Sequence, residues 1–247
     1  MAGEHHRQPM VHERGVALWR QIARAIETEI GEGVYAPGAK LPTEAQLTER
    51  FGVNRHTVRR ALEEMSRNGM IVIEQGRGSF VTEDVLDYTL GKRPRFSEWI
   101  RAQNREPSGR TLELREVVAE PTMAAALGLR AGGRVVQLER LGLADGRPVA
   151  VGTHYFSAAR YPGLIAALGE CKTITEALAR VGVPDYRRQV TRVSARLPTG
   201  AEADLLQMAR NRPVLVTENI NVDPHGAVVE FGVSRYPTPR VQIVFEP

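Results

Sequence analysis

Apolar residues recur at every fourth position through Leu18, Ile22, Ile26 and Ile30. That spacing lays them along one stripe and predicts an amphipathic helix over 16–32. The following stretch, VYAPGAKLP, breaks the period with glycine and proline. Thr43 stands three residues before Gln46, a capping box in which each side chain bonds the other's backbone amide. A short helix from Glu44 to Phe51 is expected, with Leu47 and Phe51 facing inward and Gly52 ending it in the left-handed conformation. Asn54 caps the next helix, whose buried stripe is Val58, Leu62 and Met65 with Ala61 beside them, and Gly69 terminates it. Met70–Glu74 and Ser79–Thr82 read as two short strands around a Gly76-Arg77-Gly78 hairpin tip.

Beyond Glu83 the pattern changes. Residues 84–94 carry no strong period and read as a linker, after which residues 95–247 form a second domain; residues 1–15 read as a mobile polar tail and 16–83 as the first domain. Phe96–Asn104, Ala158–Leu168 and Thr173–Val181 look helical. Arg134–Leu143 and Val149–Phe156 flank Asp145-Gly146, a strong hairpin signal. Arg187–Leu197 alternates, Val214–Val222 and Val228–Tyr236 flank a second turn, and Val241–Phe245 closes the chain. The expected fold class is α+β, with a mostly antiparallel sheet in the second domain.

Composition narrows the function. No apolar run approaches the roughly 20 residues that a membrane helix needs, and the polar N-terminus is unlike a secretory signal. The lone cysteine, Cys171, cannot staple a domain, and a cytoplasmic protein without a membrane partner is expected. The net charge of +4 permits nucleic-acid binding without demanding it. Acids and bases are equal in number up to Glu83, so any DNA contact depends on where the arginines sit.

They sit in one place. The helix after Gly52-Val53 opens Asn54-Arg55-His56-Thr57-Val58-Arg59-Arg60, and Arg55 and Arg59, four apart, share a face. Guanidiniums at a helix start suit guanine edges and phosphates in a major groove. Thr57 and the free amides there could hold a phosphate. Arg77, between two glycines, can approach the DNA backbone or minor groove closely. Two helices, a glycine turn and a hairpin wing together form a winged helix-turn-helix; a solvated arginine face or a protein-binding winged helix are the alternatives.

The stretch from Leu18 to Val81 resembles the GntR regulators, through Leu41-Pro42-Thr43-Glu44, Phe51-Gly52-Val53, Asn54-Arg55, Thr57-Val58-Arg59 and Gly76-Arg77-Gly78-Ser79-Phe80-Val81. The resemblance implies that Arg55, His56, Thr57 and Arg59 contact operator DNA, as does the wing at Gln75, Gly76 and Arg77; Thr43, Asn54 and Arg60 complete the expected set. An arginine common after the glutamate of the second helix is replaced here by Ala45. Residues from about 90 to 245 resemble the effector domain of the HutC-type branch, a fold similar to chorismate lyase. The motifs are Arg95-Phe96-Ser97-Glu98, Leu138-Glu139-Arg140-Leu141, His154-Tyr155-Phe156, Thr173-Ile174-Thr175, and Glu230 with Tyr236. In relatives that bind sugar phosphates, the matching positions Ser97, Arg140, Thr173, Thr175, Glu230 and Tyr236 line the effector pocket. A second pocket arginine of some relatives falls on Gly142.

Arg140 with the Ser97 and Thr173 hydroxyls could bind an anion, and Glu230 could accept from hydroxyls or an amine. The alternative for Arg140 is an acid across the sheet, and for His154 a structural rather than catalytic role. The pattern looks most like regulators of phosphonate metabolism. The reading is therefore a homodimeric repressor of double-stranded operator DNA, released by a small anionic effector such as a phosphonate, phosphate ester or sugar phosphate. An enzyme of lyase-like fold is the alternative, and a DNA-organising protein without an effector a third reading. No nucleophile–base pair, metal-ligand spacing or phosphate-cradling loop is legible, so no catalysis, cofactor or metal is expected.

Overall fold

The computed structural model describes residues 15–82, 85–93 and 95–245, and the chain divides into two compact units with the boundary after Asp84. The tail expected over 1–15 lies, apart from Gly15, outside the described residues, as do Glu83 at the end of the expected first domain and Asp84 and Pro94 of the expected linker.

The first unit begins with α1 (Leu18–Gly31), α2 (Glu44–Phe51) and α3 (Arg55–Arg67), followed by β1 (Ile71–Glu74) and β2 (Gly78–Val81). The predicted capping box is present: Thr43 N donates to Gln46 Oε1 at 2.8 Å and Gln46 N to Thr43 Oγ1 at 3.3 Å. Gly52 ends α2 at φ 65°, a region open to glycine at little cost. Ile22, Ile26, Leu47, Phe51, Val58, Leu62 and Met65 meet in one core, closed below the hairpin by Leu41, Ile71 and Val81. At the ends of the α1 stripe, Leu18 lies exposed and Ile30 half-buried.

The second unit is built on a six-stranded antiparallel sheet in the order β4 (Pro107–Val118), β5 (Arg134–Ala144), β6 (Arg147–Ser157), β9 (Val228–Pro237), β8 (Val214–Val222), β7 (Arg187–Arg196). The β5–β6 hairpin closes at Asp145 and Gly146, with φ 48° and 76°, as a two-residue turn requires. Alternate residues share a face, and the register puts Arg140 beside Gly152, His154 beside Gly232, and Asn221 beside Glu230. One end of this face is covered by α6 (Leu164–Glu170) and α7 (Ile174–Arg180), packed on Val136, Leu138 and Phe156. Its other end is covered by Ile100 of α4 (Phe96–Arg101), Leu86 and Tyr88 of β3 (Leu86–Thr89) and Val241 of β10 (Val241–Val244), which gather with Ala150 and Tyr236. The opposite face carries α5 (Pro121–Leu127) and α8 (Gly200–Leu205). A polar band is left between the two apolar ends of the first face.

Several expectations need correction. The linker over 84–94 contains β3, which buries Leu86 and Tyr88 and pairs in parallel with β10; a four-residue strand gains its meaning from a partner at the far end of the chain. The second unit accordingly starts at Val85, not at residue 95. The helix expected over 158–168 starts only at Leu164, because Pro162 and Gly163 (φ 84°) turn the chain first. The helix expected from Phe96 to Asn104 stops at Arg101. Strand β4, α5 and α8 carry no counterpart among the expected elements. β4 is an edge strand with a bulge between Thr111 and Glu113, so its burial does not alternate cleanly; its charged side chains are the usual protection of an edge.

Candidate nucleic-acid interface and ligand site

The Asn54 side chain caps α3, its Oδ1 accepting from Thr57 N at 2.9 Å and from Thr57 Oγ1 at 2.8 Å. Thr57 therefore does not offer a free amide or hydroxyl hydrogen for a phosphate, as the sequence suggested; its donors are used to start the helix. Arg55, His56, Arg59 and Arg60 are exposed on the first two turns. Arg60 lies over the Trp19 ring, 4.8 Å from its centroid, on the α1 side. Arg55 and Arg59 instead converge on a residue that sequence reasoning left without a role, Glu44 at the first position of α2. Arg55 Nε donates to Glu44 Oε2 at 2.5 Å, Arg59 Nη2 to Oε2 at 3.2 Å and Arg59 Nε to Oε1 at 3.3 Å. The bonds from Arg59, then Arg55, hold the Glu44 carboxyl below the usual range. Thr43 sits at the same helix start, occupied by the capping box.

Gln75, Gly76 and Arg77 form the three-residue turn of the hairpin, with Gly76 at φ 78°. Arg77 Nη1 donates to Glu74 Oε2 at 2.7 Å, which braces the wing tip. Gln75 and Gly76 are exposed and Arg77 is half-buried.

In the second unit, Arg140 donates through both terminal nitrogens to the Lys172 carbonyl, at 3.3 and 3.2 Å. Among the described residues no carboxylate lies within ion-pair distance of it, so the acid expected as the alternative partner is not there. Burial pulls its guanidinium below the usual arginine range. Glu230 is buried, and its carboxylate is already taken: His154 Nδ1 lies 2.5 Å from Oε1 and Asn221 Nδ2 donates to Oε2 at 2.7 Å. Burial raises the Glu230 pKa, but the hydrogen bond and charge of His154, with the Asn221 bond and the Arg188 charge, together outweigh it and the net shift is downward. Arg188 extends the chain of bonds, donating to Asn221 Oδ1 at 3.0 Å and Asn219 Oδ1 at 2.7 Å.

Tyr236 is buried in an aromatic cluster with Tyr88 and Trp99, at centroid distances of 5.1 and 6.0 Å, and burial pushes its hydroxyl pKa up. Thr175 Oγ1 lies 3.1 Å from the Tyr186 hydroxyl, which burial pushes up to about 12. Arg95 stacks on that same Tyr186 ring, 3.8 Å from the centroid, and its buried Nη1 has no hydrogen-bond partner among the described residues. Ser97 is half-buried in α4, while Thr173 is exposed and caps α7 by accepting from Glu176 N at 3.1 Å. The fold thus joins Thr175 to Arg95 through Tyr186, and Glu230 to His154. Arg95, Arg188 and the two asparagines had no pocket role in the sequence reading. Glu202, in α8 on the opposite face, accepts from Arg196 and Arg235. Among the described residues no group of three His, Cys, Asp or Glu side chains could hold a metal ion, and no helix is long and apolar enough to cross a membrane.

The family model for bacterial regulatory proteins of the gntR family matches residues 18–81, and that for the UTRA domain matches residues 102–242. An HTH-type transcriptional regulator of Rhizobium meliloti (strain 1021) is 34% identical over 235 residues, covering 95% of this chain and 96% of the relative. The chain belongs to the GntR family. Its second unit is the UTRA, or HutC-type, effector domain.

This GntR-family regulator is 28% identical over 219 residues to the HTH-type transcriptional repressor PhnF of Mycolicibacterium smegmatis, covering 89% of this chain and 88% of that one. The crystal structure of PhnF from Mycobacterium smegmatis superposes with a TM-score of 0.64 at 27% identity, over 91% of this chain and 98% of that chain. The relatives are transcriptional regulators, not enzymes, and the expectation of a DNA-binding regulator rather than a lyase stands with them. Its architecture, a winged helix-turn-helix followed by an antiparallel sheet domain, is the one the sequence predicted.

Proposed function

We propose that this GntR-family protein is a cytoplasmic, homodimeric repressor that leaves its operator when a small anion binds the UTRA domain. The observation that carries the DNA half is the pair of exposed guanidiniums, Arg55 and Arg59, side by side at the start of α3. His56 and the wing residues Gln75, Gly76 and Arg77 are the further contacts, with Arg77 toward the backbone or minor groove. Twin recognition helices in a two-fold dimer need half-sites about one helical turn apart, roughly 10 base pairs.

The effector half rests on Arg140. A half-buried guanidinium with no carboxylate partner among the described residues favours an incoming anion, because charge-assisted bonds strengthen away from water. Arg95, Ser97, Thr173 and Thr175 supply the remaining donors. Glu230 serves mainly to hold His154, and Tyr236 as an aromatic wall. The resemblance to regulators of phosphonate metabolism, and the likeness to PhnF, support a phosphonate or phosphate ester. A sugar phosphate fits less well, since Gly142 offers no second arginine and Phe96 covers it.

The test uses the full chain and a pool of randomised duplexes. The protein should select a two-fold symmetric sequence and release it on addition of one of a panel of methylphosphonate, phosphoethanolamine, glucosamine 6-phosphate and inorganic phosphate. Failure to select any sequence overturns the DNA reading; a complex and a melting temperature unmoved by the whole panel overturn the anionic-effector reading.

A further inference from the structure

We propose that Glu44 is a positioning residue for sequence reading: its carboxylate grips the side edges of Arg55 and Arg59 and turns their free ends toward the bases. The inference rests on the DNA-binding reading above and adds to it the residue that gives that reading its selectivity.

The atoms involved decide the point. A guanidinium has two edges able to make paired bonds, a side edge of Nε and Nη2 and an end edge of Nη1 and Nη2. Arg59 meets Glu44 with its side edge, Nε to Oε1 at 3.3 Å and Nη2 to Oε2 at 3.2 Å. Arg55 meets it with Nε, at 2.5 Å from Oε2. No hydrogen bond to another group holds either arginine among the described residues, so both end edges remain open. The end edge is the fork that matches O6 and N7 of guanine.

The local sequence puts Glu44 where it can do this. The Thr43–Gln46 capping box fixes the first turn of α2, and Glu44 is its first residue. The Asn54 cap fixes the first turn of α3, and Arg55 and Arg59 lie one turn apart on it. The carboxylate is part of the α2 start, and its two partners project from one face of α3.

Two other roles for Glu44 can be weighed against this one. A purely structural tie between α2 and α3 has little to do, because Leu47, Phe51, Val58 and Leu62 already pack the two helices together. The side chains of Arg55 and Arg59 are 70% and 48% exposed, and pairs that open to water contribute little to folding. A latch that merely blocks the arginines from DNA would weaken all duplexes alike. Positioning predicts a different pattern. Two long side chains held in one geometry lose less freedom on docking, which favours the duplex whose bases match. The same negative charge repels phosphates of every duplex, which lowers non-specific binding. Both effects raise the ratio of specific to non-specific affinity.

The experiment compares the full-length wild type with Glu44→Ala and Glu44→Gln. The probes are the duplex selected by the wild type and poly(dA-dT), each titrated over a range of salt. Glu44→Ala should bind poly(dA-dT) at least as tightly as wild type, while its preference for the selected duplex falls by roughly tenfold or more, the usual scale of a lost bidentate base contact. Glu44→Gln keeps one acceptor and its shape, and should fall between the two. A new selection with Glu44→Ala should return a sequence relaxed at guanine positions in both half-sites. Should Glu44→Ala melt early, Glu44→Gln carries the comparison. An unchanged preference in both variants, or equal tightening on both probes, overturns the proposal while leaving the DNA reading intact. A wild type that selects nothing overturns both.

Discussion

The ring of Phe96 stands on the backbone of Gly142. A Cβ built on Gly142 would fall 2.7 Å from both Cε2 and Cζ of Phe96, closer than carbon atoms can sit. Replacing a strand glycine by alanine ordinarily stabilises by about 0.5–1 kcal/mol. Here forcing the ring aside costs about 1–3 kcal/mol, so the clash wins. Gly142→Ala should lower the melting temperature of the full chain, and the double change with Phe96→Leu should recover part of the loss. A Gly142→Ala protein that melts at or above wild type would show that the ring is not seated there.

Arg55→Ala should remove about 1–3 kcal/mol of discrimination between the selected duplex and a mismatched one. Binding to any duplex should also weaken slightly and lose part of its salt dependence. Competition gel shifts read both. Full retention of sequence preference would contradict the placement of the recognition surface on α3.

Arg140→Ala should abolish the thermal shift given by whichever anion releases the operator, with a loss of about 1.5–3 kcal/mol in effector binding. Arg140→Lys should recover some of it, because charge survives and the fork does not. Operator binding without effector should be unchanged in both. A normal thermal shift in Arg140→Ala would move the anion site elsewhere in the UTRA domain.

Acid should loosen the sheet through Glu202. This buried carboxylate accepts from Arg196, from the Thr199 amide and from Arg235, and these bonds, led by Arg196, hold its pKa down to about 2 against an ordinary 4.5. A lowered folded-state pKa means stability present above about 4.5 and lost as pH falls toward about 2. Its contribution at neutral pH is about 2–3 kcal/mol. Glu202→Gln keeps the side chain that caps α8 yet removes the charge, and should be markedly less stable at pH 7. Chemical denaturation at pH 7 and pH 3 checks this: the gap between the two proteins must narrow in acid.

The N-terminal unit was almost wholly legible, because its signals are local. Thr43 with Gln46, Asn54 with Thr57, and Gly52 in its left-handed turn each act within four residues. Two missed helices carried signals of the same kind. Thr199 and Glu202 form a capping box ahead of α8, and Pro121 and Gly128 bracket α5. Strand β3 had no such signal, since only pairing with Val241–Val244 makes Leu86–Thr89 a strand.

The order of residues by itself determined the winged helix-turn-helix, the hairpins at Asp145-Gly146 and Asp223–Gly226, and which arginines gather at one helix start, because caps, turns and periodicity are settled by near neighbours. The tertiary structure alone decided the partners. It brought Glu44 to Arg55 and Arg59, seated Phe96 on Gly142, engaged Glu230 with His154 and Asn221, and turned Arg140 to the Lys172 carbonyl. Such pairings join residues on different elements, 9 positions apart for Asn221 and Glu230 and 76 for His154 and Glu230, and they form only when those elements pack side by side, beyond the reach of a cap or a turn.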